Sequence, residues 1–123
     1  YRKISGGSDN THFVRYSDGG WSSPIDVDAG LFGVTSHVEV VIDSQGGTLV
    51  LRRQNASGVF DVLVDRFSPA SGFGNTLPFE GQSLAVPAFP PAAGLMTNGS
   101  VVTTYAVDGG GSIALYARLI TLE

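Results

Sequence analysis

The sequence predicts an all-β fold assembled from repeated four-stranded units, and three observations lead there. A short segment recurs: Val14-Arg15-Tyr16-Ser17, Asp65-Arg66-Phe67-Ser68 and Ala117-Arg118-Leu119-Ile120, with the arginines 51 and 52 residues apart. Self-similarity at a fixed period of this length marks a fold built by stacking one supersecondary unit. Between the recurrences lie β-branched runs bounded by Gly, Asn, Ser and Pro clusters, whose backbone preferences set turns. No window places apolar residues at i, i+3, i+4 and i+7, so no helix is expected.

Taken in order, the first unit begins partway through its pattern. Tyr1-Arg2-Lys3-Ile4-Ser5 is an extended run, Gly6 to Asn10 a turn, and Thr11-His12-Phe13-Val14-Arg15-Tyr16 the next strand. Gly20-Trp21 then opens a short final strand. The second unit is complete: Ser36 to Asp43, a Ser44-Gln45-Gly46-Gly47 turn, Thr48 to Gln54, the turn Asn55-Ala56-Ser57-Gly58, Val59 to Phe67, and a weaker strand around Gly72 to Phe79. The third tracks the second at an offset of 52, so that Val64 becomes Tyr116 and Arg66 becomes Arg118. Its first strand falls at Val86-Pro87-Ala88-Phe89-Pro90-Pro91-Ala92. Three prolines there lack the N–H that a ladder needs, so it should be short, bulged or edge-like.

With the strands of a unit called a to d, the chain reads b-c-d, a-b-c-d, a-b-c, as one domain over 1–123 with repeats 1–32 (partial), 33–83 and 84–123 (partial). About fifty residues in four strands suits one blade of a β-propeller, whose blades run to about 40–50 residues. The predicted class is therefore a β-propeller-like array of four-stranded antiparallel blades, with a two-layer β-sandwich as the alternative. Neither end of the pattern is a whole unit, and unpaired strand edges invite pairing. The ten strands are expected to be completed by another chain, by self-association or by further sequence.

Composition agrees. The 17 glycines among 123 residues fall mostly at predicted turns, and 42% hydrophobic residues supply a core. There is no cysteine, hence no disulfide and no thiolate metal site. A net charge of −4 with seven basic residues argues against nucleic-acid binding, which needs a Lys/Arg footprint. No apolar run approaches the ~20 residues of a membrane-spanning helix.

Asp43 to Thr48, Leu49 to Gln54, Asn55 to Gly58, Val59 to Phe67 and Gly72-Phe73 together form an Asp-x-x-Gly-Gly hairpin, an apolar strand, a turn, a strand ending Arg-aromatic and a Gly-aromatic step. This pattern resembles the propeller repeats of bacterial secreted and surface proteins, and it covers most of the chain. The resemblance implies an extracellular or cell-surface setting. Ser17-Asp18-Gly19-Gly20-Trp21 is similar to the Asp-box of sialidase-type propellers, but it is several residues short and reads as a turn.

Several residues are candidates for chemistry. Arg15, Arg66 and Arg118 could present cations to an anionic ligand. Recurrence at one place in every unit instead favours pairing between neighbouring units through the guanidinium fork. Trp21 and Phe73 follow equivalent glycines and suit inter-blade packing, with Trp21 also placed to stack on a sugar. His37 and Glu39 share one strand face. Two histidines without a third ligand at a recognisable spacing make no strong metal site. Asp26 and Asp28 share a face, as do Asp61 and Asp65. Paired carboxylates serve glycosidases and calcium sites, yet Asp-x-Asp alone is no calcium loop, and Asp65 beside Arg66 reads as a local ion pair.

No nucleophile elbow, phosphate loop or HExxH helix is present, and no cofactor is expected. Gly109-Gly110-Gly111 is a hairpin turn, and Asn55-Ala56-Ser57 and Asn98-Gly99-Ser100 are read as turns despite matching the glycosylation pattern. The expected function is a non-catalytic binding or assembly module pairing its strand edges with another chain or with missing blades. The alternative is a carbohydrate-binding or glycosidase-type propeller using Trp21, Asp26 and Asp28.

Overall fold

A computed structural model describes residues 2–5, 8–27, 34–56, 59–74, 77–78, 89–108 and 111–122. Among these the chain is all-β, with thirteen strands and no helix: β1 (Arg2–Ser5), β2 (Ser8–Phe13), β3 (Tyr16–Ser17), β4 (Gly20–Trp21), β5 (Ile25–Asp26), β6 (Val34–Ile42), β7 (Thr48–Ala56), β8 (Val59–Ser68), β9 (Gly72–Phe73), β10 (Leu77–Pro78), β11 (Ala92–Leu95), β12 (Ser100–Asp108) and β13 (Ile113–Thr121). Pairing is antiparallel throughout except for a single parallel bridge, Asp9 to Val34, that joins β2 to β6. The largest sheet runs β1-β2-β6-β7-β8-β10; β11-β12-β13 form a second, and β3-β4 a third. The described strands do not close into a barrel.

The long strands form where the β-branched runs lie, and the turns between them are chemically specified. At the β6–β7 turn Asp43 Oδ1 accepts from the backbone N–H groups of Gln45 and Gly47, each at 2.8 Å. Gly46 sits at φ +84°, a conformation that side chains resist. The β11–β12 turn repeats the design: Gly99 has φ +83°, and Asn98 Oδ1 accepts from the Ser100 N–H at 3.1 Å. At β3–β4, Asp18-Gly19 makes a two-residue hairpin with φ of 53° and 81°, which matches the right-handed twist of the flanking strands.

The pairing registers recur from unit to unit. Tyr16 faces Trp21 and Ser17 faces Gly20, as Phe67 faces Phe73 and Ser68 faces Gly72. The Arg15 carbonyl accepts from Ser22 N–H at 2.7 Å, and the Arg66 carbonyl from Gly74 N–H at 2.9 Å. His12 opposite Asp26 repeats Leu63 opposite Pro78. The first unit thus matches the second at an offset of 51 on strand c and 52 on strand d.

The third unit corrects the sequence alignment by one residue. Ile42 faces Thr48 where Leu95 faces Val101, and Leu49 faces Arg66 where Val102 faces Leu119. Both registers advance by 53, not 52. Leu119 therefore stands where Arg66 does, Ala117 where Val64 does, and Arg118 where Asp65 does. The physical reason is the turn: register follows the positive-φ glycine, and Gly99 lies 53 residues after Gly46.

Three layers follow one another. One face of β6–β8 packs on β11–β13 through a cluster in which Val41, Leu49, Leu51, Val62 and Val64 meet Val101, Tyr105, Val107 and Ile120, all buried. Burying each such side chain contributes about 1.5–3 kcal/mol. The opposite face carries Val50, Arg52 and Phe67, and the N-terminal strands lie against it: Phe13 packs on Phe67 and Phe73 at 5.0 and 5.1 Å between ring centroids. With both faces covered, β7 is buried from Thr48 to Arg52.

That second face also holds a fully buried ion pair. Arg52 Nε donates to Asp65 Oδ2 at 2.8 Å and Arg52 Nη1 to Gln54 Oε1 at 2.6 Å. Asp65 is thus bound by Arg52 across the β7–β8 ladder, not by its sequence neighbour Arg66. Alternation along the strand points residues 65 and 66 to opposite faces.

Strand a of the third unit begins only where the prolines stop, at Ala92, and runs four residues along the edge of its sheet. Phe89 N–H still donates to the Ala106 carbonyl at 2.8 Å, one residue out of the register that pairs Ala92 with Thr104, so the pairing slips by one residue across Pro90 and Pro91. Val86–Ala88, Asp28 and Gly109-Gly110 lie outside the described residues.

Candidate functional site

Two clefts open along the edge of the layers formed by the turns between strands a and b. The larger, about 540 Å³, lies between the first and second units. Phe13 to Tyr16 and Trp21 form one wall, and the second unit's Ile42 to Gly46 turn, with Thr48, forms the other. Trp21 is 71% exposed and Tyr16 59%, and the two rings meet edge-to-face at 5.2 Å. Their exposure and pairing both follow from the Asp18-Gly19 hairpin, which sets Tyr16 and Trp21 side by side on one ladder rung. Arg15 leans across the junction. A Cβ added at Gly46 would lie 3.5 Å from its Nη2, an ordinary contact distance, so the guanidinium sits directly against the turn.

The second cleft, about 350 Å³, lies at the next junction and is built from equivalent parts. Asp43, Gln45 and Gly47 of one turn and Asn98, Gly99 and Ser100 of the next line it together with Ser68 and Thr121. Aromatic and aliphatic side chains line much of the larger cleft beside the polar groups of the turn, and both clefts are open grooves that do not enclose a drug-sized ligand.

Of the residues singled out from sequence, Arg15 and Trp21 line the larger cleft. His37 and Glu39 lie together on β6, His37 Nε2 being 3.8 Å from Glu39 Oε2, each about one-third exposed. They sit beside Arg53 and Leu51 on the ladder, away from Trp21. Asp26 is on β5 opposite His12. Arg15 lies in the larger cleft, while Arg66 and Arg118 are exposed. Phe73 is half-buried against Phe13 and Phe67. Among the described residues no three His, Asp or Glu side chains come together as a metal site would require. No described helix is long and apolar enough to cross a membrane.

Sequence reasoning passed over Tyr16, Asp43 and Gln45 as site residues. The Asp18-Gly19 dipeptide carried a usable signal for Tyr16, because a two-residue hairpin there makes it the rung partner of Trp21. No family model, curated protein or solved structure matches this chain.

Proposed function

We propose that the chain is a non-catalytic binding and assembly module, a segment of a β-propeller-like array that works outside the cell or at its surface. One observation carries the reading. Three successive units share one strand-pairing register, and the last leaves an apolar sheet face uncovered. Stacked units that each cover their neighbour in the same sense support a blade array over a two-layer sandwich, which has no third layer. An exposed apolar face at the end of a stack is an interaction surface. Size-exclusion chromatography with light scattering tests this: association that grows with concentration is expected, and a well-folded monomer at every concentration overturns it.

The exposed Trp21 favours a second reading, carbohydrate recognition in the larger cleft, with Trp21 and Tyr16 as stacking platforms and Arg15, Asp43 and Gln45 as polar partners. A glycan array decides it. Saturable binding that Trp21→Ala abolishes supports it, and the absence of any bound glycan removes it.

A further inference from the structure

The centre of the last unit's outer face can be matched with a face whose covering is known, although Leu119 at its rim falls on the exposed Arg66. Val102, Ala106, Leu115, Ala117 and Leu119 lie on one side of the β12–β13 ladder, since Val102 faces Leu119 and Ala106 faces Leu115. Ile113, at the start of β13, continues this side. It is open: Ile113 is 67% exposed, Leu115 75% and Leu119 60%. Moved back by the register offset of 53, Val102 falls on Leu49, Leu115 on Val62 and Ala117 on Val64. Those three are at most 6% exposed, because the third unit covers them.

The other end of the stack shows the complementary pattern. The second unit's Phe67 and Phe73 are covered by Phe13 of the first unit. In the third unit Ile120 stands where Phe67 does and joins the buried cluster that includes Val64, the counterpart of Phe13. At the first junction Phe13 packs on Phe67, and at the second the residues at the same places, Val64 and Ile120, are buried in one cluster. In the first unit the counterparts of Phe67 and Phe73 are Tyr16 and Trp21, and both are exposed. The stack therefore has a head, where Tyr16 and Trp21 are exposed at the rim of the larger cleft, and a tail that shows the β12–β13 face.

We propose that a second copy of this chain docks head-to-tail, seating Tyr16 and Trp21 on the β12–β13 face near Ala117 and Leu119. This deepens the assembly reading and rests on it, and it moves the contact from strand edges to sheet faces. A contact between different surfaces is heterologous, so repetition gives a closed ring if the rotation closes and an open stack if it does not.

Two variants of the full chain test the geometry. The tail variant carries Leu115→Lys and Leu119→Lys, and the head variant carries Tyr16→Lys and Trp21→Lys. All four positions are exposed, and far-UV circular dichroism checks that the strands remain; the alanine versions replace any variant that loses them. In sedimentation between about 1 µM and 1 mM, each variant alone should associate at least about tenfold more weakly than the wild type. Mixed together they should form a 1:1 dimer, because the head variant keeps its tail and the tail variant keeps its head. Trp21 is the sole tryptophan, so adding the tryptophan-free head variant to the tail variant should shift Trp21 emission to the blue. Met96→Lys, at an exposed apolar residue outside both surfaces, should associate as the wild type does. A mixture that stays monomeric overturns the proposal. So do variants that associate as well as the wild type, although the broader assembly reading then survives through another surface. A wild type that remains monomeric throughout overturns both.

Discussion

The second and third units share the hydrogen-bonding pattern of the turn between strands a and b and the same registers, yet one is a core and the other a surface. Leu49, Leu51, Val62 and Val64 of the second unit are buried, while Val102, Thr104, Leu115 and Ala117 at the same rungs of the third are open or half-open. The strands themselves do not differ enough to cause this, since Leu115 is larger and more apolar than Val62. What differs is the neighbour. A β-sheet has two faces to cover, and in a stack every unit but the last covers one face of the unit before it. A second difference lies on the inner rungs, where the second unit places the Arg52–Asp65 ion pair and the third places Tyr105 and Arg118, with Tyr105 stacked on Tyr116 at 5.2 Å.

Breaking the ion pair should have the largest effect. Asp65→Ala leaves Arg52 buried without its carboxylate and should cost about 3–5 kcal/mol in urea unfolding. Arg118→Ala, at the matching rung but exposed, should change stability by no more than about 0.5 kcal/mol. Arg52→Met combined with Asp65→Leu should recover most of the loss, because an apolar replacement of a buried pair is often neutral. If the single Asp65 change is mild, the pair is not sealed from water and the contrast between the units weakens.

Next in size is the buried face itself. Leu51→Ala should cost about 2–5 kcal/mol through lost burial and a residual cavity. Leu115→Ala, on the corresponding open face, should stay within about 0.5 kcal/mol at concentrations where the chain is monomeric. A large loss for Leu115→Ala under those conditions would mean that the outer face is covered within the monomer.

The two turn glycines give the smallest and sharpest contrast. Gly99→Ala should cost about 1 kcal/mol, the strain of a side chain at positive φ with open space around it. Gly46→Ala should cost more, about 2 kcal/mol, because its Cβ would also meet Pro69 Cγ at 3.3 Å. Thermal melts of the two variants side by side separate the backbone cost, common to both, from the junction packing that only Gly46 feels.

Much of this architecture is legible in the residues. The β-branched runs fall on β6, β7, β8, β12 and β13, and the Asp43 to Gly47 and Asp18-Gly19 segments make the turns their chemistry dictates. Trp21 stands out as the sole tryptophan, placed directly after a glycine. The register of the third unit was harder to read, because matching Arg66 to Arg118 is a better letter-for-letter fit than matching it to Leu119. A slip of one residue turns every side chain of a strand to the other face, so that small error exchanges inside for outside. The partner of Asp65 was hidden for a related reason. Ladder neighbours are set by pairing, and Arg52 is thirteen residues away in the chain.

Local chemistry in the sequence determined the all-β class, the turn positions and the fifty-residue repeat, because hairpins depend on residues only a few positions apart. Tertiary structure alone decided which face of each unit is core, which carboxylate Arg52 binds, and which aromatics are left open at the head of the stack. Those outcomes depend on what packs against a sheet from far along the chain, and strand alternation offers two faces without saying which one a neighbour will cover.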